Sequence, residues 1–282
     1  MRSIARKWDC PFRLTLIACG LCLGVVVFME LGRRIGLRRL AEDRDGARTG
    51  VGAVEGAVFG LMGLLLAFSF SGAAARFDTR RQLVVSETNA IGTAYLRLEL
   101  LDPRRRAEMQ DMFRRYVDAR LDAYSKLPDE QAVLAGLAAA ADIQDDIWAA
   151  AVRATREEGY QPAAMLLLPA LNEMIDITTT RTMAARTHPP SIIFVMLGVL
   201  LLTCSLLAGV AMAGGKRRSW VHIVGFAAIS AVTMYVILDL EYPRLGLIRM
   251  ASFDQALVEL RETMESPLTG EPAARPVPGD SE

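Results

Sequence analysis

The chain has 282 residues, of which 52% are hydrophobic, and its 32 basic and 32 acidic side chains cancel. The balanced charge excludes the basic surplus typical of nucleic-acid-binding proteins, so no nucleic-acid partner is expected. Only two histidines are present and no complete catalytic or metal-binding motif occurs, so we expect neither an enzyme nor a bound cofactor or metal. Four windows without charged side chains predict an all-α membrane protein: 14–29, 56–75, 191–215 and 219–238.

The first apolar window follows a short basic segment, 1–13, an arrangement shared by signal peptides and uncleaved spans. A lipoprotein-type cleavage would fall at Cys19, but the apolar run continues well beyond that residue. We therefore expect an uncleaved first span. Cys19 and Cys22 have the spacing of metal ligands, but no second pair completes a site, so both are interpreted as apolar packing residues.

The first two spans and the arginine-rich loop between them form one membrane unit, 14–75. Small residues recur every four positions in the second span, which predicts a face that another helix can approach closely: Gly52, Gly56 and Gly60. Large apolar residues recur at the same spacing on a different face: Met62, Leu66 and Phe70. A ring of such side chains from several subunits would form a hydrophobic constriction. Lipid contact or core packing is the commoner use of this pattern.

The second span is predicted to continue as a helix into a charged region. Beyond the span, apolar residues recur every seven positions: Phe77, Val84, Ile91 and Leu98. Three arginines lie where the helix leaves the apolar window: Arg76, Arg80 and Arg81. In a ring of subunits these charges would concentrate anions at a pore mouth. Anchoring of the helix at the membrane interface is the alternative.

Residues 76–190 are predicted to form a helical bundle outside the membrane. Asp102 and Pro103 give a helix start, since aspartate is a good N-cap and proline suits the first helical position. Further helices are expected over 129–158 and from 162, with a kink at Pro169. Sustained alternation of apolar and polar residues, the mark of strands, does not occur.

The third and fourth spans occupy 191–240 and are followed by a short helical segment, 241–265. The tail, 266–282, is rich in proline and small polar residues, which predicts disorder. Asp239 and Glu241 close the fourth span. We expect them to form a polar network with the arginines of 76–81 or with Arg244.

The charge distribution does not decide which side of the membrane the bundle faces. Eleven basic residues lie near the spans on the bundle side and nine lie in the two short loops. The positive-inside rule cannot separate such similar numbers.

Several sequence strings resemble the bestrophin-like family of bacterial membrane proteins. They are ETNAIGTAYLR at 87–97, RRYVDARLDAY at 114–124, HPP at 188–190 and ILDLEYPRLGLI at 237–248. The resemblance implies a distant similarity to bestrophins, which are pentameric anion channels. In bestrophins the second span lines an apolar neck and continues into a cytosolic helical domain. Bestrophins carry aromatic residues just past that span, where this chain has Thr79, Arg80 and Arg81. The resemblance therefore implies the fold more strongly than conduction.

Together these patterns predict a multi-pass protein of the cell inner membrane with four transmembrane helices and a bundle between spans two and three. The expected function is a cofactor-free anion channel or pore, formed by a homo-oligomer, with five subunits if it follows the bestrophins. The second span would line it. The alternative is a non-conducting scaffold or sensor whose bundle binds a partner.

Overall fold

The computed structural model describes residues 2–42, 51–126, 129–156, 159–215, 219–242 and 251–265. Side chains are described throughout these ranges except at 2–13, 51, 130 and 251–254. The described residues form helices and no strand, so the predicted all-α fold is confirmed. The helices are α1 (Arg2–Glu42), α2 (Val51–Leu96), α3 (Pro103–Ser125), α4 (Glu130–Thr155), α5 (Gln161–Arg186), α6 (Ser191–Ala211), α7 (Trp220–Glu241) and α8 (Ala251–Thr263).

Four stretches of the described chain are long and apolar enough to cross a membrane, which confirms the predicted number of spans. They lie within Leu14–Glu42, Gly52–Leu100, Gln161–Gly214 and Trp220–Glu241. α1 extends beyond the first predicted span, 14–29, at both ends, because the helix runs from Arg2 to Glu42. The predicted tail, 266–282, and Arg244 lie outside the described residues.

The membrane part is organised around close packing of α1 on α6. A Cβ atom added to Gly32 would lie 2.0 Å from the Leu206 carbonyl oxygen, and one added to Gly209 would lie 2.0 Å from that of Met29. The two backbones are therefore in direct contact, which only glycine permits at these positions. α7 covers the same side of α1, where Val25, Met29, Leu201, Ile223 and Ala227 form a buried cluster.

The C-terminal half of α2 belongs to a separate core that it shares with α3, α4, α5 and α8. Val84, Ile91 and Leu98 of the predicted seven-residue row are fully buried, and Ile91 and Leu98 belong to this core. Asp102 caps α3 as predicted, because its side chain accepts hydrogen bonds of 3.1 Å from the Arg104 and Arg105 amides. The C-terminal half of α2 is therefore held in the bundle by burial of its apolar side.

α8 packs against α2 and α3 and completes the bundle. Leu257 and Met264 are buried, and the Tyr95 hydroxyl donates a hydrogen bond of 3.3 Å to the Met264 carbonyl. Arg261 holds both carboxylate oxygens of Asp118, at 2.8 and 3.1 Å. These hydrogen bonds raise the pKa of the Arg261 guanidinium. The described C-terminal helix therefore lies on the same side of the membrane as the bundle.

Candidate functional site

α2 is the element that joins the membrane part to the bundle. Its 46 residues give a length of roughly 70 Å at the usual helical rise, about twice the thickness of a bilayer core. From Ala73 onward one side of the helix is buried, including Arg80, Val84 and Glu87, whereas residues 52–72 are half-buried or exposed in the single chain. The opposite side, which carries Leu64, Ser71, Ala75, Gln82 and Asn89, is exposed in the single chain. This side of α2 therefore contacts a second copy of the chain, lipid or a water-filled pathway.

The predicted constriction row does not share one environment. Met62 is half-buried against the cluster formed by α1, α6 and α7, and Leu66 is half-buried against apolar residues of α6 and α7. Phe70 is 45% exposed. The row thus turns from the protein-facing side of α2 towards the exposed side, because a four-residue repeat drifts around a helix with 3.6 residues per turn. The role of this row in a pore stays a prediction.

The predicted glycine row is open in the single chain. No atom lies within 4 Å of a Cβ added to Gly52, Gly56 or Gly60. Within the described chain the close helix contact is instead made by Gly32 and Gly209, which the sequence patterns did not single out. The four-residue spacing of Gly32 and Gly36 in α1 is the signal that could have found it. Close packing of another helix on Gly52, Gly56 and Gly60 stays a prediction, and it now concerns a helix of a second chain.

Glu241 is the centre of a buried polar network at the edge of the membrane part. Its side chain is fully buried and pairs with Arg76 at 2.8 Å and with Arg80 at 3.2 Å. The expected contact between the end of the fourth span and the basic group of α2 is therefore present. Asp239 is also buried nearby along α7. Arg244, which was also expected in this network, lies outside the described residues.

Arg80 lies inside the protein, which differs from the exposed position that a pore-mouth charge requires. Besides Glu241 Oε1, its guanidinium donates hydrogen bonds to three backbone carbonyls, of Ala184, Thr187 and Glu241, at 3.2, 2.9 and 2.7 Å. A buried cation needs such partners, and α5 and α7 supply them. Arg76 and Arg81 are each partly exposed, with Arg81 paired to Asp78 at 3.3 Å.

His188 joins the same network, a role that sequence reasoning missed. Its Nδ1 atom lies 3.0 Å from Glu241 Oε1, and its ring stacks on that of Tyr242 with centroids 4.7 Å apart. In the sequence, the HPP string before the third span contributes to the family resemblance and gives no sign of this contact. A histidine at a helix junction carries no local signal of its distant partner.

A second buried network, also absent from the sequence predictions, lies deeper in the bundle around Glu87. This fully buried carboxylate pairs with Arg120 of α3 at 2.6 Å and with Arg181 of α5. Both guanidiniums lie over the ring of Tyr124. Burial lowers the pKa of Arg120, but the Glu87 carboxylate together with Tyr124 and Tyr116 raises it, and the net direction is upward. Burial also raises the pKa of nearby Tyr116 to about 12.

The two networks lie along one contact between α2 and α5. Arg80 and Glu87 are seven residues apart on α2, which is nearly two helical turns or about 10 Å, so both fall on one face of that helix. Arg181 lies in the last turns of α5, and His188 lies two residues beyond the end of α5 at Arg186. We call this contact the α2–α5 polar seam. It fixes the charged part of α2 to the helix that leads into the third span.

The described residues contain no group of three histidine, cysteine or acidic side chains placed to hold a metal ion. Helices α1, α2, α6 and α7 carry the membrane-crossing stretches, and α2 to α5 with α8 form a bundle outside them. This architecture defines a multi-span α-helical membrane protein with one inserted helical domain.

Comparison with protein families agrees with this class and narrows it. The model of the Bestrophin-like domain matches residues 15–251, so the chain belongs to the bestrophin-like domain family. The family resemblance inferred from the sequence strings is thereby confirmed. No curated protein and no solved structure matches the chain.

Proposed function

We propose that the protein is a passive anion channel or pore of the cell inner membrane, formed by a homo-oligomer in which α2 lines the pathway. The observation that carries the proposal is the exposed side of α2, which continues from the apolar stretch into the bundle without being covered by its own chain. Membership of the bestrophin-like family supports it, since bestrophins are pentameric anion channels. A five-subunit ring is the arrangement we favour.

The lining of the pathway has two candidate rows on α2. The first is the row predicted from the sequence, Met62, Leu66 and Phe70, of which Phe70 is the member well exposed in the single chain. The second follows the exposed side through Leu64, Phe68 and Ser71, with Phe68 65% exposed. Either row places an aromatic ring where a hydrophobic constriction could exclude water. Phe70 belongs to the first row and Phe68 to the second, so the two residues form a matched pair.

The basic residues beyond the apolar stretch have different roles in this proposal. Arg76 and Arg81 keep part of their surface exposed and would raise the local concentration of anions at the mouth. Arg80 instead holds α2 against Glu241 and the backbone of α5. The bundle then acts as the support that keeps the mouth in position.

The direct test is halide flux into liposomes that contain the purified protein, compared with empty liposomes. Phe70→Ala and Phe68→Ala are measured in parallel, with Ile229→Ala, a substitution at a 71% exposed position of α7, as the control. Flux that depends on protein, changes in one phenylalanine variant and is unchanged in Ile229→Ala is expected. Absence of flux under both signs of membrane potential would contradict the proposal.

A non-conducting scaffold or sensor is the second candidate. It is favoured by large apolar side chains that remain exposed on the bundle, Leu134 of α4 and Met165 of α5 among them. Such exposed groups often mark sites where a partner docks. Oligomeric state separates the two candidates, because a monomer or simple dimer cannot enclose a central pathway. A size measurement in detergent and in nanodiscs therefore comes before any flux assay.

A further inference from the structure

His188 Nδ1 lies between two groups that make opposite demands on it. Glu241 Oε1 is 3.0 Å away and can only accept a hydrogen bond, whereas Arg80 Nη2 is 3.4 Å away and can only donate one. If Nδ1 carries a proton it bonds to Glu241. If it carries none it accepts from Arg80. A neutral ring can make either contact, depending on its tautomer, whereas a protonated ring carries N–H on both nitrogens and can only donate.

The charged and titratable groups around this ring come from two other elements. α2 contributes Arg80 directly and Arg76 through the second oxygen of Glu241. The end of α7 contributes Glu241 and, two residues earlier, buried Asp239, and the next residue, Tyr242, stacks on the ring. Glu241 Oε1 is shared between Arg80 and His188, so a stronger bond to one weakens its bond to the other.

We propose that His188 is a proton-responsive latch that controls how firmly α2 is attached to the end of α7. Transfer of a proton from hydronium in the surrounding water makes both ring nitrogens donors, so Nδ1–H stays on Glu241 and a positive imidazolium lies beside Arg80. The repulsion and the competition for Glu241 Oε1 loosen Arg80, and α2 with it. Return of that proton to water leaves a neutral ring, whose Nδ1 accepts from Arg80 when the remaining proton is on Nε2. The ring can exchange its proton, since its side chain is 31% exposed.

Histidine is the side chain that most often serves as a proton-sensitive switch in proteins. The chain has only two histidines. The other, His222, lies near the opposite end of α7 and contacts Ser219 Oγ at 2.5 Å. Because His188 contacts the last residue of α7 and His222 lies in the first turn of the same helix, His222 provides the natural control. The proposal concerns helix attachment and does not depend on conduction.

The first test is backbone hydrogen exchange of the full chain in nanodiscs at about pH 5.5 and about pH 7.5, corrected for the intrinsic effect of pH on exchange. Peptides covering 78–90 of α2 should exchange roughly threefold faster at the lower pH. His188→Gln should abolish this difference and His222→Gln should retain it. A flat response in the wild type, or an unchanged response in His188→Gln, would overturn the proposal.

A second measurement keeps the proposal testable if His188→Gln fails to fold. In His222→Gln protein with isotope-labelled histidine, the ring-nitrogen chemical shifts of the single remaining ring report whether it takes up a proton as the pH is lowered. Glu241→Gln should move the midpoint to lower pH, because the carboxylate stabilises the imidazolium. A ring that does not titrate, or a midpoint that ignores Glu241→Gln, would overturn the latch. Neither readout measures ion flux, so the channel proposal stands or fails separately.

Discussion

Arg80 and Glu241 are 161 residues apart in the chain and are joined twice, side chain to side chain at 3.2 Å and guanidinium to backbone carbonyl at 2.7 Å. Glu241 is fully buried and Arg80 nearly so. Removal of the Glu241 carboxylate leaves Arg80 buried without a counter-charge, and removal of Arg80 leaves buried Glu241 with only partly exposed Arg76 as a permanent counter-charge. This pair therefore fixes the point where α2 leaves the membrane part relative to the end of α7.

Arg80→Ala is expected to lower the free energy of unfolding by about 3–5 kcal/mol, since Glu241 would lose a buried counter-charge. Arg81→Ala removes a similar side chain from a partly exposed pair with Asp78 and should cost less than about 1 kcal/mol. Denaturant unfolding in detergent, followed by circular dichroism, gives both values. Equal losses in the two variants would contradict the burial argument.

Glu87→Gln should destabilise the bundle more than the usual surface change, because Arg120 and Arg181 would both keep a buried charge without a carboxylate. A loss of about 3–5 kcal/mol is expected. Glu259→Gln, at an exposed position of α8, is the matched control. If the triple variant Glu87→Gln, Arg120→Met, Arg181→Met regains stability, uncompensated charge is the cause. If it loses more, packing around the network dominates.

Tyr116 gives the bundle a pH dependence in alkali. Its pKa is raised to about 12 from an ordinary value near 10, so the folded protein keeps the phenolic proton where the unfolded chain has lost it. Its contribution to stability is complete below about pH 10 and is lost as the pH rises towards 12. Tyr116→Phe should therefore flatten the stability profile over that range. An alkaline profile that is unchanged in Tyr116→Phe would contradict this assignment.

The two sets of glycines should respond differently to a methyl group. Gly32→Ala forces a Cβ against the Leu206 backbone and should cost about 1–3 kcal/mol of stability. Gly56→Ala meets open space in the single chain and should leave the stability of the monomer unchanged. If α2 packs on a second copy through this row, Gly56→Leu will reduce the oligomer fraction in nanodiscs. An unaltered oligomer would remove the row from the interface.

Cysteine accessibility can decide which row of α2 faces water. Single cysteines at 62, 66 and 70 represent the predicted row, and those at 64, 68 and 71 represent the exposed side. In a cysteine-free background, water-soluble thiol reagents should modify one row and spare the other. Lining by the exposed side would give reaction at 64, 68 and 71, since Met62 and Leu66 are half-buried by their own chain. Reaction at neither row would speak against a pathway along α2.

Sequence periodicity by itself determined the four spans, the continuation of α2 into the bundle and the cap of α3. Each of these depends on residues a few positions apart, whose spacing on a helix is fixed by backbone geometry. The family assignment also came from local strings, including ETNAIGTAYLR. The seven-residue spacing of Val84, Ile91 and Leu98, for example, predicted one face, and all three residues are buried in the structure.

Only the tertiary structure decided which distant groups meet. Arg80 looked like a surface charge until α5 and α7 supplied its four acceptors, and His188 looked like a boundary residue until Glu241 was found beside it. Glu87, Arg120 and Arg181 come from three helices, and Gly32 and Gly209 from two. A pairing of this kind depends on how whole helices pack, and the spacing of residues within one helix carries no information about it.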